Sequence, residues 1–309
     1  MRKIILDCDP GHDDALAMLL AHSHPDTDVV LLTTVAGNQT VEKTTRNALN
    51  VASLAGMQAP VAKGMGRSLT GRQSTAPDIH GESGLDGPVF PPCDLNAIDK
   101  HAVDAIIDAL TASDGDMTMV CTGPLTNMAA ALMKEPGIVR QIREIVLMGG
   151  ATYFGNKTPA AEFNIFVDPE AARIVFDSGL PLTMIGLELT HQAVASPDIV
   201  EEIRAMDNPV ARIVVELLEF FGHSYREVFG FEAPPIHDAC AVAYVIDPHV
   251  MTTRSCRVDI ETKGEFTAGM TVVDLYGVTG RRPNANVALE LDKRRFWELM
   301  LNAFRSYGG

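Results

Sequence analysis

Short apolar runs rich in β-branched residues alternate with segments of helical period along the first two thirds of this sequence, and this alternation limits the fold more than any other feature. The runs typical of strands cover residues 4–6, 29–35, 117–121, 145–148 and 182–185. The segments typical of helices cover residues 15–21, 41–55, 125–133 and 169–176. Parallel strands need crossover connections of this length, which are usually helical. The pattern therefore predicts an α/β fold with helices on both faces of a mostly parallel, Rossmann-like open sheet.

The last third of the chain has a different pattern. Pro209 follows a possible N-cap at Asn208 and opens a long helical segment that ends near residue 229. Further strands are predicted over 258–260, 270–274 and 287–291, and a closing helix over 296–304. With 309 residues, 46% of them hydrophobic, the chain is long enough to bury one large core. We expect a single domain over residues 1–309.

Charge and cysteine content exclude several classes of function. The formal net charge of −15 disfavours nucleic acid and anionic membrane surfaces as partners, because both would repel the protein. No apolar run approaches membrane-spanning length, and the run behind Arg2 and Lys3 is too short for a signal peptide. The five cysteines are scattered without zinc-like spacing, which favours reduced thiols. We therefore expect a cytoplasmic protein that binds neither nucleic acid nor membrane.

Small and polar residues follow each of the early strands. These clusters occupy residues 7–14, 36–40, 121–127, 148–156 and 187–192. Each of them alone is explained by turn chemistry, since turns favour Gly, Asn and Asp. The carboxyl ends of parallel strands share one edge of a sheet, where ligands bind, so five such clusters indicate a binding site there. Residues 64–98 are rich in Gly, Pro and Ser and predict a long loop, which in a compact domain is more often functional than idle.

Four aspartates lie within DCDPGHDD, at positions 7, 9, 13 and 14. Asp7 as a solvated strand end and Asp13 as an N-cap would account for two of them, and His12 would be a turn residue. Carboxylates this close repel one another unless some are protonated or a cation holds them. Oxygen ligands suit Ca²⁺ or Mg²⁺. A zinc site is disfavoured, because the sequence has no Cys or His at the spacing that zinc ligands need. The string is not an EF-hand, because Met18 stands where a bidentate Glu is needed, and it is not a P-loop.

A second acidic element, His237-Asp238, precedes an apolar helical run at 239–246. Taken alone, Asp238 would be an N-cap and His237 an ordinary buried histidine. Between the two acidic elements, Glu162 and Asn164 stand two positions apart, and we predict an extended segment that turns both to one side. Short amides and carboxylates that converge in this way are suited to binding hydroxyl groups.

Six blocks of this sequence together resemble the nucleoside hydrolases of the inosine-uridine-preferring type, and among these the bacterial pyrimidine-preferring ribonucleoside hydrolases. The blocks are DCDPGHDDA (7–15), AGNQT (36–40), HGESGLDGP (80–88), TGPLTN (122–127), MGGATYFGN with AEFNIFVDPEAA (148–156 and 161–172) and PPIHDACAVAYVI (234–246). They occur in the order and spacing of the family and extend over essentially the whole chain. DxDPGxDD is a fairly specific motif by itself.

The resemblance implies a calcium ion and the residues that hold it. The ion would be bound by Asp9, both carboxylate oxygens of Asp14, the main-chain carbonyl of Thr122 and Asp238. A water molecule and two ribose hydroxyls would complete its coordination. Asp13 would be the general base for that water.

The resemblance also implies which residues contact the nucleoside. His237 is the candidate proton donor to the leaving base. The other candidates are Asn38 beside the general base, Met148, Asn156, Glu162 and Asn164 around the ribose, and His80 on the side of the base. Subgroups of the family differ over residues 219–232, where His223, Tyr225 and Arg226 either contact the base or face solvent. Tyr225 is our candidate for a contact.

The activity implied by the resemblance is hydrolysis of the N-glycosidic bond of ribonucleosides to a free base and ribose. This reaction builds positive charge on the ribose, and a pocket rich in carboxylates stabilises that charge. A site built to satisfy ribose hydroxyls should strongly reject 2'-deoxyribosides. His237 and DIHGESGLDGP favour uridine and cytidine, and the single tryptophan, Trp297, leaves no tryptophan pair around the base. We expect a homodimer or homotetramer.

Two other functions compete with this interpretation. Asp7-Cys8-Asp9 behind an apolar strand also resembles the start of a haloacid-dehalogenase-type phosphatase, whose nucleophile would be Asp7 and whose metal would be Mg²⁺. Against it, Gly11 stands where that family usually has Thr or Val. A non-catalytic nucleoside or sugar carrier would keep calcium for binding alone. The presence of both candidate catalytic residues, Asp13 and His237, favours the hydrolase.

Overall fold

The computed structural model describes residues 1–308 and contains a nine-stranded sheet. The strands are β1 (Arg2–Cys8), β2 (Thr27–Thr34), β3 (Val61–Lys63), β4 (Met117–Cys121), β5 (Ile142–Met148), β6 (Leu182–Ile185), β7 (Met251–Ile260), β8 (Thr271–Asp274) and β9 (Ala285–Leu291). Their order across the sheet is β3-β2-β1-β4-β5-β6-β9-β7-β8. The first six strands and β9 are parallel, while β7 is antiparallel to both β9 and β8. The predicted α/β fold is confirmed.

Helices connect the strands and continue to the end of the described chain. They are α1 (His12–Ser23), α2 (Val41–Ala55), α3 (Pro77–His80), α4 (Ala102–Thr111), α5 (Thr126–Lys134), α6 (Phe163–Val167), α7 (Pro169–Phe176), α8 (Leu187–Thr190), α9 (Pro197–Arg204), α10 (Pro209–Phe229), α11 (Ala239–Ile246) and α12 (Lys293–Ser306). The predicted N-cap of α10 is observed, because the Asn208 side chain accepts a hydrogen bond from the N–H of Ala211. Among residues 1–308, none of the helices is both long and apolar enough to cross a membrane.

The sheet is buried on both faces, as parallel strands usually are. Along β1, Ile4 and Leu6 belong to one core and Ile5 to the other. Helices α1, α2, α10, α11 and α12 cover the first face, and α4, α5 and α7 cover the second. This arrangement leaves the carboxyl edge of the parallel strands open for a site.

The elements that the sequence did not predict are β3, α3, α4, α6, α8 and α9. Most of them are only three to eight residues long, which is too short for a clear periodicity. The predicted loop over 64–98 contains α3, and the described chain has no other helix or strand there. This loop passes from the edge strand β3 back toward α4.

The predicted extended segment through Glu162 and Asn164 is wrong. Glu162 is the N-cap of α6, and Asn164 lies inside that helix. The Glu162 carboxylate accepts the N–H groups of Asn164 at 2.8 Å and Ile165 at 3.1 Å, and this cap starts a helix. Both side chains still line one cavity, because the short helix begins at its wall.

Candidate active site

The aspartate-rich turn joins β1 to α1 at the carboxyl edge of the sheet. The chain turns at Gly11 and begins α1 at His12, so that Asp13 and Asp14 lie in the first helical turn, where the helix dipole favours negative charge. Gly11 occupies the N-cap position, so the interpretation of Asp13 as a simple N-cap is wrong. The N–H of Gly11 donates to Oδ2 of Asp14 at 3.0 Å and holds that carboxylate in place.

Three buried carboxylates converge at this turn. One oxygen each from Asp13, Asp14 and Asp238 lies within 4.8 Å of the other two. Burial raises the pKa of Asp13 to about 7, and the charge of Asp14 adds to the rise. Burial and the charge of Asp13 hold the pKa of Asp238 well above its usual range. Three ionised groups this close are costly without a cation.

Asp9 lies beside these three carboxylates and outside their 4.8 Å group. Its Oδ2 accepts the N–H of Asn38 at 2.7 Å, whereas its Oδ1 is buried without a hydrogen-bond partner in the described chain. The Asn38 amide donates to the backbone oxygen of Asp9 at 3.2 Å and to Oδ2 of Asp14 at 3.1 Å, which ties the two residues together. Burial and the charge of Asp14 raise the pKa of Asp9 well above its usual range. An orphaned carboxylate oxygen in such a cluster fits a hard cation.

Thr122, directly after β4, reaches the same cluster. Its hydroxyl donates to Oδ1 of Asp14 at 2.8 Å. Its carbonyl accepts the side-chain amide of Asn164 at 2.7 Å, and a carbonyl oxygen has a second lone pair for another partner. The donor set implied by the resemblance, three carboxylates and one carbonyl, is therefore brought to one edge of the sheet.

A cavity of about 240 Å³ opens onto these carboxylates. Its lining includes the predicted residues Asp13, Asn38, His80, Thr122, Met148, Asn156, Glu162, Asn164, Tyr225, His237 and Asp238. Asp9 and Asp14, which are fully buried, do not line it. The volume suits a ligand smaller than most drug-sized molecules.

One wall of the cavity presents amide and carboxylate groups. The Glu162 carboxylate accepts the N–H groups of Gly150 at 2.9 Å and of residues 164 and 165, and burial raises its pKa to about 7. Oδ1 of Asn156 accepts the N–H of Phe163 at 2.9 Å, which leaves its NH₂ group for a ligand. Met148 lies beside this wall, with its sulfur 3.6 Å from the Asn164 amide nitrogen.

On another wall, His237 lies between two hydroxyl groups. Its Nδ1 is 2.7 Å from Oγ1 of Thr190, and its Nε2 is 2.6 Å from the hydroxyl oxygen of Tyr225. Burial, and after it the neighbouring His191, lowers the pKa of His237 to about 3. Thr190 was not predicted individually, although it belongs to the predicted polar cluster 187–192.

His80, which lines the same cavity, stacks on His12 behind it. Nε2 of His12 is 2.8 Å from the carbonyl oxygen of Asp86, and the Nδ1 atoms of the two rings are 3.2 Å apart. Phe221 stacks on both rings, at centroid distances of 5.2 and 5.4 Å. The interpretation of His12 as a turn residue is therefore wrong, since it is buried in an aromatic stack. No local sequence signal places residue 12 against residues 80 and 221.

The orientation of helix α10 shows which of the candidate residues in 219–232 line the cavity and which face solvent. Tyr225 is buried and lines the cavity. His223 and Arg226 are exposed and belong to a separate surface groove. Phe221 and Phe229 also line the cavity, although neither was predicted to do so.

The structure contradicts the phosphatase alternative, in which Asp7 is the nucleophile. Asp7 lies within β1, is 1% exposed and does not line the cavity. Its Oδ1 accepts the Thr33 hydroxyl at 2.6 Å and the Asn127 amide at 2.8 Å. It is also not the solvated strand end that the simplest interpretation assumed. A group enclosed in this way cannot attack a phosphate ester.

Comparison with known proteins gives three kinds of match. The family model of the inosine-uridine preferring nucleoside hydrolases matches residues 4–298. The chain is 47% identical over 306 residues to the pyrimidine-specific ribonucleoside hydrolase RihB of Escherichia coli O9:H4 (strain HS), covering 99% of this chain and 98% of that protein. Among solved structures, a purine-preferring ribonucleoside hydrolase from Gardnerella vaginalis superposes with a TM-score of 0.93 at 33% identity, covering 99% of both chains. A plant nucleoside hydrolase superposes with a TM-score of 0.91 at 32% identity, covering 98% of this chain and 99% of that one.

Proposed function

Since the chain belongs to the family of inosine-uridine preferring nucleoside hydrolases, as its sequence motifs predicted, we propose that it hydrolyses the N-glycosidic bond of ribonucleosides to a free base and ribose. We propose uridine and cytidine as preferred substrates, because the relatives of the RihB type are named pyrimidine-specific. One observation carries the proposal. One cavity is lined by buried carboxylates of the aspartate cluster, by the amide and carboxylate groups of residues 156, 162 and 164, and by Tyr225.

We assign a calcium ion to Asp9, Asp14, the Thr122 carbonyl and Asp238. The unpartnered Oδ1 of Asp9 and the raised pKa values of Asp9 and Asp238 fit a hard divalent cation, which binds ionised oxygen ligands and offsets their repulsion. When bound there, the cation supplies charge that orients the ribose diol and makes a water molecule more acidic.

Asp13 is the proposed general base. Of the aspartates that follow β1, it is the one that lines the cavity. Its carboxylate takes a proton from the attacking water while the N-glycosidic bond breaks. The positive charge that develops on the ribose lies next to the carboxylate cluster, which stabilises it.

Tyr225 is the proposed contact to the leaving base, with His237 behind it. Burial raises the pKa of Tyr225 well above its usual value, so that the hydroxyl keeps its proton until the base accepts it. The proton then comes from the Tyr225 hydroxyl, and the phenolate oxygen that remains accepts a hydrogen bond from Nε2–H of His237, 2.6 Å away. In one turnover Asp13 gains a proton and Tyr225 loses one, so proton exchange with water after product release restores the enzyme. His237 thus acts through Tyr225 and not directly on the base.

Asn156, Glu162 and Asn164 are proposed to bind the ribose, with Met148 beside them. Their polar groups are held by backbone hydrogen bonds and would be left unpaired by a sugar that lacks a hydroxyl. We therefore expect 2'-deoxyribosides to be rejected by about 10⁴-fold.

The base is proposed to lie against His80 and the rings of Phe221 and Tyr225, which also line the cavity. We further propose that the protein acts in nucleoside salvage in the cytoplasm and forms a homodimer or homotetramer. Light scattering coupled to size-exclusion chromatography measures the assembly.

The experiment that tests the function is incubation with uridine, cytidine, inosine and thymidine, followed by chromatography for free base. We expect free uracil and cytosine, less hypoxanthine and almost no thymine. Treatment with EDTA should abolish turnover, and added calcium should restore it. Binding of uridine that is recovered intact would instead support a non-catalytic carrier.

A further inference from the structure

Thr190 is held against His237 by the backbone around both residues. It is the last residue of α8, and the segment that follows it pairs with the segment that precedes His237. Ile236 N–H donates to the Ala193 carbonyl and Ala195 N–H to the Pro234 carbonyl, both at 2.9 Å. The 2.7 Å contact between the Thr190 hydroxyl and Nδ1 of His237 is therefore built into the fold.

The Thr190 hydroxyl has one hydrogen-bond partner in the described chain, and that partner is Nδ1 of His237. A threonine in a helix often donates to the carbonyl four residues earlier. Here that carbonyl, of Gly186, accepts the N–H groups of Leu189 and Thr190 at 3.1 Å instead. The hydroxyl is 0% exposed, so its proton would be left without an acceptor unless it is donated to Nδ1.

This donation decides where the protons of the neighbouring groups lie. If Nδ1 of His237 accepts, the ring is neutral and carries its proton on Nε2. Nε2 then donates to the hydroxyl oxygen of Tyr225, 2.6 Å away. The remaining Tyr225 proton must find its acceptor elsewhere, and Tyr225 lines the cavity.

We propose that Thr190 is a positioning residue that sets the tautomer of His237, so that the Tyr225 hydroxyl directs its proton into the cavity toward the leaving base. This inference rests on the proposed function, because it assigns an acceptor on the departing base as the partner of that proton. Without the Thr190 hydroxyl, His237 could carry its proton on Nδ1 and accept from Tyr225, which would turn the proton away from the substrate.

The test compares Thr190→Val, which keeps the shape and removes the hydroxyl, with Thr190→Ser, which keeps the hydroxyl. For uridine we expect Thr190→Val to lower kcat by about 10- to 100-fold with little change in KM, as for other residues that orient a catalytic group. For a p-nitrophenyl riboside, whose leaving group needs no proton, both variants should stay within about threefold of wild type. Thr190→Ser should keep most of the activity toward uridine. Equal losses on both substrates, or no loss on either, would overturn the proposal.

A second measurement does not depend on turnover. The ¹⁵N chemical shifts of the His237 ring, identified by their loss in His237→Gln, report which nitrogen carries the proton. We expect the proton on Nε2 in wild type and a mixed or Nδ1 form in Thr190→Val. A proton on Nδ1 in the wild type contradicts the proposal. If the wild-type protein cleaves neither substrate, the proposed function fails, and these shifts still decide the tautomer.

Discussion

Asp13 and Asp14 are neighbours with different surroundings, and this difference supports the separate roles that we propose for them. Asp14 accepts hydrogen bonds from the N–H of Gly11, the Asn38 amide and the Thr122 hydroxyl, and it is 0% exposed. Asp13 lines the cavity. A carboxylate held by several donors is suited to fixed ligation, whereas one that faces the substrate can exchange a proton.

Asp13→Asn should therefore lower kcat for uridine by about 10²- to 10⁴-fold, because the attacking water loses its proton acceptor. Folding, measured by circular dichroism, and calcium uptake, measured by titration calorimetry, should stay nearly unchanged. Asp94→Asn at an exposed position is the matched control. If Asp13→Asn retains a tenth of the activity, Asp13 is not the base, and if it loses calcium, Asp13 is a ligand.

Tyr225→Phe removes the hydroxyl that we propose as the proton donor and keeps the ring that packs on Phe221. We expect kcat for uridine to fall by about 10²-fold, while hydrolysis of a p-nitrophenyl riboside changes by less than about threefold. His237→Ala should show the same selectivity for the leaving group. Steady-state kinetics with both substrates measure the ratio, and parallel losses would remove Tyr225 from the proton path.

At the scale of elements, the turns after β2 and β4 must approach Asp9 closely. A Cβ on Gly37 would lie 2.0 Å from Oδ2 of Asp9, and a Cβ on Gly123 would lie 2.6 Å from its Oδ1. These positions require glycine because the strand ends bring backbone against a carboxylate. The spacing of parallel strands thus determines how tightly the proposed ion is enclosed.

Gly37→Ala should displace the Asp9 carboxylate and weaken calcium binding by about 10- to 100-fold. Titration calorimetry measures the affinity, and activity at saturating calcium shows whether the site recovers. Gly66→Ala in a nearby loop is the control, because a Cβ there meets only a methyl group of Val41 at 3.3 Å. Unchanged calcium affinity in Gly37→Ala would show that Asp9 is not a ligand.

On the scale of the whole molecule, one sheet joins the two cores, and we propose that the described chain unfolds as a single unit. The carboxylate cluster sits at the edge of this sheet, near the ends of β1 and α11, and both elements contribute side chains to the first core. The free energy needed to ionise the buried cluster therefore lowers the free energy of unfolding of the entire described chain.

Calcium should stabilise the protein more at neutral pH than in acid. Folding raises the pKa of Asp13 from 3.8 to about 7, so without calcium the stability contributed by its protonated form is lost as pH rises through this interval. Each pH unit there costs at most about 1.4 kcal/mol per carboxylate. Calorimetry with calcium and with EDTA should give one transition and a larger gain in Tm at about pH 7.5 than at about pH 5. An equal gain at both pH values contradicts this account, and Asp13→Asn should reduce the pH dependence with EDTA.

The sequence by itself determined the parallel sheet, its helices on both faces and the edge that carries the site. These features depend on local periodicity and on the rule that parallel strands place their ends together. The motifs then predicted most of the individual residues that line the cavity or lie directly beneath it, with Asp9 the first and Asp238 the last of them along the chain. The prediction of an extended segment at Glu162 was wrong, because the sequence pattern of a few residues does not distinguish a short capped helix from a strand.

Only the tertiary structure decided which distant side chains meet. Thr190 reaches His237 across 47 positions, and His12 stacks on His80 and Phe221, because the paths of separate loops bring them together. The tertiary structure likewise distinguishes Asp7, which does not line the cavity, from Asp13, which does, although both are buried and lie in one motif. Hydrogen-bond direction and pKa depend on neighbours that are remote in the chain, so they cannot be read from the local sequence.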